Sequence, residues 1–145
     1  MSAPEEADIF TIPLLDGGHA IGQVSRVEPG NEVCLLLSLR RDDRVAGLAA
    51  SEVIAEIPTD ADPFMKGEWT VIGYDGLPDY VRTRSRLLSL PTPKQEPAVI
   101  EAFLNAVHGL YPWDGFPDAS FFDKLLKDGV ARPPGSRMKS QFSAG

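Results

Sequence analysis

Residues 8–39 read DIFTIPLLDGGHAIGQVSRVEPGNEVCLLLSL, and this stretch decides the fold. Phe, Ile and Leu recur at every second position along residues 8–14, which predicts a half-buried strand. Pro13 places this strand at an edge of the sheet or marks the strand end, because proline cannot donate a ladder hydrogen bond. Residues 19–28 predict a second strand, and Gly22 inside it predicts a bulge or a close backbone approach.

Tight turns join these strands. The Asp-Gly-Gly sequence at residues 16–18 supplies the positive-φ positions of a hairpin, and Glu-Pro-Gly-Asn at residues 28–31 predicts the next turn. Residues 32–39 are apolar on both faces, which is typical of a strand that is covered on both sides. The protein is therefore expected to open with a three-stranded meander.

Further strands are predicted beyond the charged run at residues 40–44. Residues 52–57 and 68–74 each predict one strand, and residues 80–90 could add one more. A parallel sheet would need helical crossovers between these strands, and the short turns leave no room for them. The pattern favours a bent antiparallel sheet or a small open β-barrel of about five to six strands.

The last third of the chain changes from the strand period to the helix period. Apolar residues share one arc of a helix across residues 97–110. A second helix is predicted with Asp118 as N-cap and Gly129 as C-cap. Two C-terminal helices that follow a sheet define an α+β fold, with one domain at residues 1–129. Residues 130–145 are rich in Pro, Gly and Ser and predict a loosely docked or disordered tail.

Composition and charge narrow the class of function. The 145 residues include 43% hydrophobic and 24% charged types, an ordinary globular composition. Residues 1–129 hold 11 Lys and Arg against 21 Asp and Glu, a net charge of -10, whereas residues 130–145 hold three basic residues and no acid. A nucleic-acid binder needs a basic surface, so the acidic body argues against one and fits a basic partner or none.

The chain shows no sign of export or membrane insertion. The N-terminal residues are acidic, where a secretory signal would be basic and then apolar. The longest apolar run is the pentad at residues 33–37, far short of the roughly twenty residues that cross a bilayer. Cys34 is the single cysteine, so no intramolecular disulfide can form and a cytoplasmic location is expected.

No catalytic, cofactor or metal motif is present in the sequence. His19, His108 and Cys34 are isolated from one another, so the spacing of a metal site is missing. The apolar neighbours of Cys34 predict a buried thiol rather than a nucleophile. We therefore assign no catalytic residue, no metal ligand and no cofactor.

Two clusters stand out from the rest of the chain. The aromatic and proline-rich stretch at residues 111–117 either closes the core or anchors a protein partner through Trp113 and Asp114. A set of acidic residues flanks the strand that contains Trp69, and it is either solvated surface or part of a binding site. The members of this acidic set are Asp60, Asp62, Glu68, Asp75 and Asp79.

The order of these features resembles the immunity protein 26 family of bacterial polymorphic-toxin systems. The resemblance spans nearly the whole chain and rests on short motifs that are mostly structural in character. These motifs are DIFTIPL at residues 8–14, DG at 16–17, GQV at 22–24, WTVIG at 69–73, LP at 77–78, LYPWDG at 110–115, FFDKLL at 121–126 and RP at 132–133.

The resemblance implies a cytoplasmic immunity protein that binds a cognate, basic toxin domain, possibly a nuclease, and neutralises it by occlusion. Two alternatives stay open: a small phosphoester or organophosphate hydrolase, as some family members are labelled, and an orphan protein-interaction domain. The best-known phosphotriesterases use His-rich binuclear metal sites, and only two isolated His residues occur here. The predicted partner-binding residues are Asp60, Asp62, Asp75, Asp79, Tyr80, Trp113 and Asp114.

Overall fold

The computed structural model describes residues 3–142 and contains one antiparallel sheet of five strands. The strands are β1 (Asp8–Pro13), β2 (His19–Glu28), β3 (Glu32–Ser38), β4 (Val53–Asp60) and β5 (Thr70–Tyr74). Their order across the sheet is β4-β3-β2-β1-β5, so the first three strands form the predicted meander. The sheet ends in two edge strands and is open rather than a closed barrel. Together with the helices of the chain, this sheet confirms the α+β prediction.

Short helices connect and cover the strands. A single 3-10 turn (Ala50–Glu52) precedes β4, and two helices, α1 (Asp62–Met65) and α2 (Asp79–Thr83), flank β5 in the chain. The C-terminal part contains α3 (Pro97–Val107), α4 (Phe121–Leu125) and α5 (Lys139–Phe142). Among the helices of residues 3–142 only α3 exceeds two turns, and it buries the apolar arc that its 3.6-residue period predicts.

The first hairpin is built as its turn residues and Gly22 indicate. Pro13 is the last residue of β1 and lies opposite His19, so it ends the strand; β1 itself lies between β2 and β5 and is not an edge. At Gly22 the backbone passes so close to Phe10 and Leu36 that a Cβ atom would lie 2.6 Å and 2.8 Å from their atoms. Gly22 thus marks a close approach, and the bulge of β2 falls further along, between Val24 and Arg26.

Each face of the sheet carries a hydrophobic core. The larger core joins one face to α3 and α4 and includes Phe10, Leu35 and Phe103. A smaller core on the other face contains Leu36 together with Leu48, Val53, Leu77 and Val81. Because β3 sends Leu35 to one core and Leu36 to the other, the two-sided apolar pattern of this strand is explained.

The sixth strand predicted at residues 80–90 does not form. The segment makes α2 and then an irregular stretch that side chains hold against the sheet. The Arg84 guanidinium binds the Glu56 carboxylate, and the Arg26 guanidinium donates to the Leu88 carbonyl at 2.9 Å. Side-chain donors therefore replace the backbone ladder that the alternating pattern predicted.

The second predicted helix is much shorter than the interval from Asp118 to Gly129. Helix α4 begins after Ser120, whose backbone amide donates to the Asp118 carboxylate at 3.0 Å, so Asp118 stabilises the turn before the helix rather than capping it. The helix ends at Leu125, because the Lys127 amide donates to the Ile54 carbonyl of β4 at 2.7 Å. A tertiary hydrogen bond therefore takes the chain out of the helix.

The basic C-terminal segment lies against the loop after α3. Ser136 is buried, and Val130 and Met138 contact the larger core. The Arg137 guanidinium donates twice to the Gly109 carbonyl, at 2.8 and 3.0 Å, and the Arg137 carbonyl accepts from the Trp113 amide. The Arg137 contacts thus fasten residues 130–142 to the loop after α3, and the remainder of the predicted tail, residues 143–145, lies outside the described residues.

Candidate functional site

Asp60 and Asp62 lie together at the end of β4, beside the turn between β2 and β3. The Asp60 carboxylate forms an ion pair with Lys94 at 2.7 Å. Asp62 begins α1, and its carboxylate accepts a hydrogen bond from the Asn31 side-chain amide at 2.5 Å. Lys94 offsets the charge of Asp60, so this pair offers less negative charge than its sequence suggests.

Asp75, Asp79 and Tyr80 lie after β5, and each has a structural partner. The Asp75 carboxylate accepts from the Gly47 backbone amide at 2.7 Å, and this hydrogen bond holds the pKa of Asp75 below its usual value. Asp79 is exposed at the start of α2 and pairs with Arg82. Tyr80 is half-buried with the Lys127 ammonium 4.4 Å from its ring centre, and burial raises its pKa.

Trp113 is a core residue and not an exposed anchor. Its side chain is only 1% exposed, its ring packs against Phe103 and Phe122, and its indole N–H donates to Asp123 at 2.9 Å. Asp114 beside it accepts from the Lys139 backbone amide at 2.7 Å. The buried indole fits the alternative that residues 111–117 close the core, and a partner role for Trp113 stays a prediction.

The seven predicted residues consequently do not form one site. Hydrogen bonds and ion pairs place them in three regions: the end of β4, the segment after β5, and the loop that follows α3. The shared feature in the sequence was charge around the strand of Trp69. In the fold each of these carboxylates has its own partner: Lys94, Asn31, Gly47, Arg82 or Lys139.

A surface groove that the sequence did not indicate lies beside β5. It consists of two adjoining cavities of about 410 and 440 Å³ that share Glu5 and Asp8 as lining residues. We call it the β5 groove. Its other lining residues are Ala3, Glu6, Phe64, Gly67, Trp69, Thr70, Val71 and Tyr74.

Strand pairing creates this groove. Asp8 lies opposite Tyr74, and Phe10 lies opposite Val71, so all four side chains share one face of the sheet. The ring of Phe64 packs edge-on against Phe10 at a centroid distance of 5.0 Å and closes one side. Beyond it the face is uncovered, with Tyr74 78% and Val71 40% exposed.

The groove combines apolar surface with negative charge. Glu5 is exposed, and its backbone amide donates to the Asp8 carboxylate at 2.8 Å, which joins the two acidic residues. Among residues 3–142 neither carboxylate forms an ion pair, whereas Glu6 is paired with Arg86 at 3.1 Å. An exposed tyrosine beside unpaired carboxylates suits the apolar stem and charged head of a lysine or arginine.

A second polar cluster lies on the opposite face of the sheet. The Glu56 carboxylate accepts two hydrogen bonds from Arg84, at 2.7 and 2.5 Å, and one from the Ser25 hydroxyl at 2.5 Å. This hydrogen bonding raises the pKa of Arg84. A cavity of about 340 Å³ adjoins the cluster, lined also by Tyr80 and Lys127. Three donors already occupy the Glu56 oxygens, so the pair fastens residue 84 to the sheet and is not arranged as a base.

No group of three or more His, Cys, Asp or Glu residues within 3–142 is placed to hold a metal ion. Burial raises the pKa of the Cys34 thiol to about 11, which keeps it protonated. None of the helices in the described part is long and apolar enough to span a membrane.

Comparison of the chain with protein-family models, with curated proteins and with solved structures finds no match. The resemblance to the immunity protein 26 family stays a prediction.

Proposed function

We propose that this protein binds a basic toxin domain and neutralises it by covering the surface on which the toxin acts. The β5 groove carries the proposal, because it joins an exposed aromatic side chain, an exposed valine and two carboxylates that form no ion pair with any residue of 3–142. Aromatic anchors with complementary charge are the common composition of protein-binding surfaces.

The overall charge supports the same partner. Residues 1–129 carry a net charge of -10, and the three basic residues of the C-terminal segment lie in another part of the chain. A net negative body attracts a basic protein over a distance of about one Debye length and raises the rate of encounter. The expected complex therefore forms quickly at low salt and more slowly as the salt concentration rises.

Co-expression tests the proposal directly. The proposal expects a large secreted protein with a C-terminal toxin domain to be encoded beside this gene, and that domain is expressed in a host that it kills. We expect growth to be rescued by this chain and a one-to-one complex of the two purified proteins whose affinity falls with salt. Failure to rescue growth, together with no complex by calorimetry at low salt, would overturn the proposal.

A matched pair of variants then locates the surface. Tyr74→Lys changes an exposed side chain of the groove, and Leu15→Lys changes a side chain of similar exposure (78% and 72%) at the turn between β1 and β2. If the groove binds the toxin, the first variant weakens binding and the second does not. Equal binding by both variants would place the interface elsewhere.

A further inference from the structure

The two edges of the sheet differ in how their backbone groups are used. At β4 the Ile54 carbonyl accepts from the Lys127 amide at 2.7 Å, and the Pro58 carbonyl accepts from the Gln95 amide at 2.9 Å. Pro58 itself has no N–H to offer. Strand β5 pairs only with β1, and no backbone hydrogen bond from elsewhere in residues 3–142 reaches its outer side. The β4 edge is thus covered and the β5 edge is open.

The side chains of β5 do little to block pairing. Proteins protect open edges with lysine, proline, inward charges or bulges. Strand β5 reads Thr-Val-Ile-Gly-Tyr and contains neither a charge nor a proline. One bulge is present, because Ile72 lies between the residues that pair with Ile9 and Phe10. The bulge divides the edge, so we expect a partner strand to be short and to pair on one side of Ile72.

The charge beside this edge determines which partner fits. Glu5 and Asp8 line the groove that adjoins β5, and exposed Glu68 precedes the strand by two residues. A second copy of this chain, paired edge to edge, would bring the same carboxylates towards each other. A segment with lysine or arginine side chains instead places positive charge near these carboxylates. Each pair of opposite charges attracts, whereas the like charges of a second copy would repel.

We propose that the β5 edge binds an extended basic segment of its protein partner by strand addition. The partner's backbone hydrogen-bonds to the outer side of β5, and its basic side chains on the groove face lay their apolar stems on Val71 and Tyr74 and direct their charged heads towards Glu5 and Asp8. This inference rests on the proposed function for the basic character of the partner, and it adds the mode of binding. Main-chain hydrogen bonds supply affinity in such complexes, and side-chain contacts supply specificity.

The test uses synthetic peptides of about eight residues that alternate valine with lysine. Backbone amide shifts of the full chain are followed by NMR, and affinity is measured by fluorescence anisotropy. We expect the largest shifts in residues 70–74 and slower hydrogen exchange at their outer amides. Two N-methylated forms of the peptide carry methyl groups on the amides of one edge or of the other edge. Each form keeps the charge of the plain peptide but cannot pair through its methylated edge. The form that is methylated on the edge facing β5 should bind more than about tenfold more weakly than the plain peptide.

Variants of the protein complete the test. Val71→Lys introduces a positive charge at the edge and should weaken the peptide more than about tenfold, while Leu15→Lys should change it less than about twofold. Equal affinity for the plain peptide and both N-methylated forms, or no peptide binding at all, would overturn strand addition. So would a dimer in light scattering that Val71→Lys dissociates. These outcomes leave the toxin-rescue experiment unaffected, so the failure of this inference is distinct from failure of the proposed function.

Discussion

Replacing Gly22 by alanine tests the tightest packing in the sheet. The added methyl group would lie 2.6 Å from Cζ of Phe10 and 2.8 Å from the backbone carbonyl oxygen of Leu36. Ordinary contacts of a Cβ atom begin near 3.4 Å. Each neighbour would have to move by several tenths of an ångström, and the Leu36 carbonyl belongs to the β2–β3 pairing and cannot move alone.

The expected loss of stability follows from these two contacts. The ring of Phe10 is fully buried and packs against Phe64 and Trp69, with centroids at 5.0 and 6.3 Å, which restricts its movement. Inserting a methylene into such a core costs about 1–3 kcal/mol. Because one contact is to backbone, we expect a gross loss near the upper limit. Reduced freedom of the unfolded chain offsets about 0.4–1 kcal/mol, which leaves a net loss of about 2 kcal/mol.

Urea unfolding followed by tryptophan fluorescence measures this loss. With a slope of about 1–3 kcal/mol per molar urea, the midpoint of Gly22→Ala should fall by about 1 M. Gly76→Ala is the matched control, since nothing lies within 4 Å of the position its methyl group would take. Its midpoint should stay the same or rise slightly. An unchanged midpoint for Gly22→Ala would refute the close approach of β2 to β1 and β3.

Three further predictions concern single side chains. Cys34 is 1% exposed with a pKa raised to about 11 by burial, so a maleimide should label it only after unfolding; rapid labelling of the native protein at neutral pH would contradict this. Trp113→Phe should lower the free energy of unfolding by about 1–3 kcal/mol, because it leaves a cavity beside Phe103 and Phe122 and removes the indole hydrogen bond to Asp123. Urea unfolding should show a smaller loss for Asp123→Asn, which keeps an acceptor and leaves no cavity. Hydrogen bonds from Lys124 and from the hydroxyl and backbone amide of Ser120 lower the pKa of exposed Asp118 from 3.8 to about 2. The stability that the Asp118 carboxylate contributes is therefore present above pH 3.8 and is lost as the pH falls towards about 2. The urea midpoints of the wild type and Asp118→Asn should therefore converge over that interval, and a constant difference would contradict this assignment.

Local pattern predicted the elements of this fold well. The alternation along residues 8–14, the glycine-containing turns and the two-sided apolar run at residues 32–39 each describe a property of one strand and its immediate neighbours. Those properties depend on side-chain period and turn geometry, which act over a few residues. The same holds for α3, where the apolar arc and Pro97 at the first position match the observed helix.

Long-range hydrogen bonds decided what local pattern could not. Residues 80–90 have a strand-like pattern, but Arg84 is bound to Glu56 and the ladder does not form. Helix α4 ends early because the Lys127 amide binds Ile54 in a distant strand. Trp113 lies in the core because Phe103 and Phe122 surround it, and neither contact is visible from the loop that contains it.

The sequence by itself determined that this is an α+β chain with an N-terminal meander and a strongly acidic body. The tertiary structure alone decided which strands became edges, because strand order depends on how residues 61–69 cross from β4 to the side of β1. That crossing puts Tyr74 beside Asp8, two residues that are 66 positions apart in the chain. The net charge follows from the residue types alone and needs no fold. The β5 groove depends on distances between residues that are far apart in the chain, so it forms only once the strands have paired.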